Sequence, residues 1–165
     1  MLVNETIIEQ AISQLENDPD LADSLLEEIE SDHPIIMAYL FSESFQVLTL
    51  NEREYLIPLA LIIYQSYRLI GKPAIELSEE GIGQAEERNW EIYSEHPAKT
   101  FRERLNPFFE QAKEEDLLAF LEDALTIDDE SPEEDIELTK EGRDPIFIGL
   151  KTLVDVIFLP PVAAS

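Results

Sequence analysis

The chain has 165 residues, no cysteine, and 37 acidic against 11 basic side chains, for a formal net charge of −26. The missing thiols exclude disulfides, thiolate metal sites and cysteine nucleophiles, and agree with a reducing compartment. The charge repels phosphate and anionic lipid, so direct binding to nucleic acid or membrane is disfavoured, whereas a basic protein is attracted.

A hydrophobic content of 44% is enough for a folded core. A chain of this length buries about 70% of its unfolded surface, so a single domain spanning 1–165 is expected. The opening MLVNETIIEQ lacks the basic region and long apolar segment of a secretion signal. The longest apolar run is well short of the ~20 residues that cross a bilayer. A cytoplasmic location is therefore expected.

In chain order, Ile7, Ile8, Ala11, Ile12 and Leu15 fall at helical spacing behind Asn4, which suits an N-cap. The turn Asn17-Asp18-Pro19-Asp20 leads to a second stripe, Leu21, Leu25, Leu26 and Ile29, ending near Ser31. A third helix is expected from an Asp32 cap, with Pro34 in its first turn, to about Ser44. An apolar linker, Phe45 to Leu48, follows.

Thr49 to Gly71 holds the densest apolar run and is expected to be the buried central helix. Thr49 and Glu52 have capping-box spacing, and Gly71 with Pro73 supplies the stop. Pro58 removes one helix bond, so a kink is expected between Glu54 and Pro58.

Ser78 caps the next expected helix, whose stripe is Ile82, Ala85, Trp90, Ile92 and Tyr93. After His96-Pro97, the residues Phe101, Leu105, Phe108, Phe109 and Ala112 keep one face across Asn106-Pro107, as a kinked helix or two abutting helices. The face continues through Leu117, Phe120, Leu121, Ala124 and Leu125. Residues 128–138 read as an acidic loop, with seven acids among the ten positions from Asp128 to Glu137. A last helix is expected with Asp144 as cap and Pro145 in its first position, stopped by Pro160 and Pro161, with 160–165 as a tail. The pattern predicts an all-α fold of about seven or eight helices, an antiparallel bundle or irregular orthogonal packing around residues 49–71.

Candidate chemistry is sparse. Glu30 and His33 have E-x-x-H spacing, but a di-iron site needs a second such pair, and Tyr93 precedes His96 at the matching position. Asp128 to Thr139 lacks the glycine and glutamate of a calcium loop, having Glu133 and Thr139 in their places. Gly81-Ile82-Gly83 follows no strand and meets Glu86 where a nucleotide loop has its third glycine. Arg88, Lys99, Arg102 and Arg104 are expected to pair with Glu87, Glu91, Glu95 and Glu103 at helix-neighbour spacing. Trp90 and Phe108-Phe109 read as core, although an aromatic groove between helices suits a peptide.

These motifs carry no family resemblance, and no cofactor or metal is expected. The reading that follows is a non-catalytic interaction module that binds a basic protein, of inhibitor, immunity or nucleic-acid-mimic type. The acidic residues Asp128, Asp129, Glu130, Glu133, Glu134 and Asp135 are the expected contact surface. The alternatives are an enzyme whose carboxylate or metal chemistry shows no motif, and a homo-oligomeric structural protein.

Overall fold

Three helices begin on the caps expected from the sequence. Asn4 Oδ1 accepts the Ile7 N–H at 2.9 Å, and Ser78 Oγ accepts that of Gly81 at 2.9 Å. Thr49 and Glu52 form the reciprocal capping box, at 2.9 and 3.2 Å. The computed structural model describes residues 3–73, 75–95, 100–111, 113–126 and 140–158. Among these, the elements are α1 (Glu5–Asn17), α2 (Leu21–Asp32), α3 (Pro34–Leu40), a 3-10 turn (Glu43–Phe45), α4 (Leu50–Leu69), α5 (Glu79–Glu95), α6 (Phe101–Arg104), α7 (Asn106–Gln111), α8 (Glu115–Leu125) and α9 (Lys140–Phe158). The fold is all-α, around one contiguous hydrophobic core. The acidic loop at 128–138 and the tail at 160–165 lie outside the described residues.

The expected central helix is α4. Leu56, Leu59, Ala60, Leu61, Ile63, Tyr64 and Tyr67 are all buried. It runs unbroken past Pro58. Both Pro58 and Glu54 are exposed, so the carbonyl that the proline leaves unpaired belongs to a water-facing turn. At its end Gly71 takes φ 100°, and the N–H groups of Gly71 and Lys72 bond back to the carbonyls of Arg68 and Tyr67 at 3.0 and 3.1 Å. This is the glycine-terminated stop that the sequence indicates.

The centre is shared. Helix α9 packs on α4, α5, α8 and the 3-10 turn, while α4 also packs on α1 and α2. Ile146, Phe147, Ile148, Leu150, Leu153, Val154 and Ile157 of α9 are all buried. Two glycines, two turns apart, allow the close approach: a Cβ on Gly142 would stand 1.8 Å from a Glu52 carboxylate oxygen, and one on Gly149 would stand 2.4 Å from the Phe45 ring. Phe147 lies within 5.2 to 6.3 Å of the Phe108, Phe101 and Tyr93 rings. These are ordinary separations for aromatic pairs.

Three boundaries depart from expectation. Helix α9 starts at Lys140, so Pro145 lies inside it and Asp144 is not its cap. Instead Asp144 accepts the Tyr93 hydroxyl at 2.6 Å. The ring of Pro145 is buried, which offsets the single helix bond it forgoes. The cap of α3 is His33 rather than Asp32, since α2 extends through Asp32. That helix ends at Leu40 rather than Ser44, because the chain tightens into the 3-10 turn that inserts Phe45 against Gly149. The segment around Asn106-Pro107 resolves into two abutting helices, α6 and α7.

Candidate functional site

The residues expected from sequence to meet a partner, Asp128, Asp129, Glu130, Glu133, Glu134 and Asp135, lie outside the described residues, as do His96, Pro97 and Lys99. What the described residues form is a groove of about 480 Å³ between α1 and α8. Ile8, Ile12, Ala119, Phe120 and Ala124 make its apolar floor. Glu5 and Glu9 stand on one wall, with Asp116 and Asp123 on the other, all four exposed.

Helical spacing builds both walls. Positions 5, 8, 9 and 12 share one face of α1, and 116, 119, 120, 123 and 124 share one face of α8. The two helices are tied at their N-terminal ends. The Val3 N–H donates to Glu114 Oε2 at 2.9 Å, and the Glu5 N–H donates to Asp116 Oδ2 at 2.9 Å. At the other end of α8, the Tyr55 hydroxyl of α4 donates to the Ala124 carbonyl. Glu114 is only 6% exposed, and burial raises its pKa above the usual 4.5 despite the bond from Val3.

The groove exists because α8 carries more apolar residues than the core takes up. Leu117, Leu118, Leu121 and Leu125 are buried, whereas Phe120 and Ala124 on the flank stay half-buried. The sequence stripe places Phe120 and Ala124 in the core face. An apolar arc this wide on a short helix is the signal that one edge is left over.

Arg102 and Arg104 do not pair along their own helix as the sequence suggests, and Lys99 lies outside the described residues. Arg102 reaches Glu122 at 2.5 Å and Asp123 at 3.5 Å on α8, and Arg104 reaches Asp144 at 3.9 Å on α9 while lying over the Tyr93 ring. Helix α6, at four residues, is too short to offer partners one turn away along itself. Burial, and then the bond to Asp144, pushes the Tyr93 hydroxyl up to about 12.

Other polar clusters fasten helices together. Between α5 and α9, the buried Asn89 side chain donates to Thr152 Oγ1 at 3.2 Å and Asp155 Oδ2 at 3.0 Å, and Lys151 also pairs with Asp155. Glu86 accepts from the Tyr39 and Ser44 hydroxyls. Glu28 of α2 meets Arg68 of α4 at 3.3 Å and Lys72, just beyond the end of α4, at 3.5 Å. Burial works to raise the Glu28 pKa, but the Tyr64 hydroxyl and the two cations outweigh it and bring it below the usual value.

Glu30 is exposed on α2, while His33, at the junction of α2 and α3, lies edge-on to Tyr64 and Tyr67 at 6.2 and 6.3 Å. Among the described residues, no three His, Asp or Glu side chains converge as metal ligands. No helix among them is long and apolar enough to cross a membrane. Comparison of the chain with protein families, curated proteins and solved structures finds no match.

Proposed function

We propose that the protein is a non-catalytic binding module whose partner is a basic protein, encountered in the cytoplasm. The observation that carries this reading is the arrangement of charge. Arg68, Lys72, Arg102, Arg104 and Lys151 each reach a carboxylate of the same chain, while the acidic excess totals 26 charges. A field of one sign raises the encounter rate with an oppositely charged surface, and it weakens with salt.

The test is capture from source lysate on the immobilised protein at low and high ionic strength. A specific basic protein is expected at low salt and is lost at high salt. Absence of any enriched protein at both salt concentrations overturns the reading.

A further inference from the structure

The groove between α1 and α8 adds a shape to that charge. We infer that it takes an amphipathic helix of the partner, with an apolar stripe laid on Ile8, Ile12, Ala119, Phe120 and Ala124 and with Lys or Arg on both flanks. This inference rests on the reading of a basic partner and names the segment of that partner that docks.

The geometry sets the pattern of the incoming helix. From Asp116 to Ala124 the α8 wall spans ~12 Å, enough for two turns or slightly more of a bound helix. Within such a length, apolar residues at i, i+3 or i+4, and i+7 present one continuous stripe to the floor. Glu5 and Glu9 stand one helical turn apart on the α1 side, and Asp116 and Asp123 stand two turns apart on the α8 side. Cations spaced by four residues on one flank and by seven on the other therefore meet a carboxylate each.

Two of the four carboxylates are already partly engaged. Asp116 uses one oxygen for the Glu5 N–H, and Asp123 shares Arg102 at 3.5 Å. Each of those groups still has a second oxygen, and an exposed pair of that length is weak enough to exchange for a partner's cation. The floor supplies the contribution that salt does not screen. A second copy of this chain is the poorer occupant, because it brings the same charge of −26 to an acidic rim.

The experiment is calorimetric titration of the full chain with a synthetic leucine–lysine peptide of about 14 residues, four helical turns, whose leucines follow the helical stripe. Two control peptides accompany it: one with the same composition in strict alternation, and one with glutamate for lysine. Binding is expected for the helical-stripe lysine peptide and not for the glutamate peptide, with the alternating peptide weaker. Ala119→Trp, which fills the floor, and Glu9→Lys, at an exposed rim position, are each expected to weaken it by about tenfold or more. The second variant keeps the test decisive where the first perturbs folding.

Equal affinity for wild type and both variants overturns the groove as the site while leaving the basic-partner reading standing. So does failure of the peptide to bind when lysate capture succeeds. Failure of both experiments overturns both readings. A dimer of the free protein that Ala119→Trp converts to monomer assigns the groove to a second copy and overturns the inference.

Discussion

Glu114 holds a charge where little water reaches it, on the segment that anchors the N-terminal end of α8 to the chain entering α1. Because its pKa is raised on folding, the folded state binds the proton more tightly than the unfolded chain does. The sign follows: its contribution favours folding below the ordinary value of 4.5 and is lost as pH climbs through the raised value. Glu114→Gln keeps an oxygen for the Val3 N–H and removes the charge. The stability of the variant minus that of wild type is expected to increase from about pH 4 to about pH 7, measured by urea unfolding. A difference that shrinks over that range shows that Val3 stabilises the carboxylate more than burial penalises it. The glycines offer a second residue-scale contrast. Gly83→Ala, on an exposed turn of α5 with nothing within 4 Å of the new carbon, is expected to gain up to ~1 kcal/mol of helix propensity. Gly149→Ala makes the same change against the Phe45 ring at 2.4 Å, where overpacking of ~1 to 3 kcal/mol outweighs that gain. Opposite shifts in urea midpoint are the expected result, and two shifts of the same sign contradict the close approach.

At the scale of the element, caps were legible and tertiary partners were not. Asn4, Thr49 and Ser78 start their helices through bonds that span three residues, so the local sequence contains all of the information. Asp144 looks like a cap in the same local terms, but Tyr93 on α5 claims its carboxylate, and nothing near position 144 announces that. Asn89 lies off the stripe of α5, and its partners Thr152 and Asp155 come from α9, more than sixty residues on. For the same reason nothing local to α9 marks Gly142, Gly149 and Thr152 as contact positions. They are the positions where Glu52, Phe45 and Asn89 fit. The groove was legible in part: the wide apolar arc of α8 signals a leftover edge, but which edge that is follows only from Leu117, Leu118, Leu121 and Leu125 facing inward. If α4 and α9 share the centre, truncation in either is severe. Leu61→Ala is expected to cost ~2 to 5 kcal/mol and Phe147→Ala ~3 to 5 kcal/mol in urea unfolding. A mild effect at Phe147 beside a severe one at Leu61 restores α4 as sole centre.

For the whole molecule, the charge that attracts a basic partner also works against the fold. With −26 on 165 residues, bringing the carboxylates together on one compact surface raises their mutual repulsion above that of the expanded chain. Local ion pairs relieve little of this, because exposed pairs such as Arg102 with Asp123 are worth a fraction of a kcal/mol. Added salt shortens the screening length from about 10 Å at 0.1 M to about 3 Å at 1 M, which removes repulsion between distant carboxylates while leaving the apolar core untouched. The melting temperature is therefore expected to rise with sodium chloride over that range. A gain of ~1 to 2 kcal/mol corresponds to several degrees for a chain of this size. Glu9→Lys and other single charge reversals on the α1 rim are expected to raise the low-salt melting temperature slightly and to reduce the gain from salt, even as they weaken a basic partner. A melting temperature that falls with salt means that attractive pairs, not self-repulsion, dominate the surface. The acidity would then have to be explained by the pairs it forms within the chain, and the case for an outward-facing field would lose its footing.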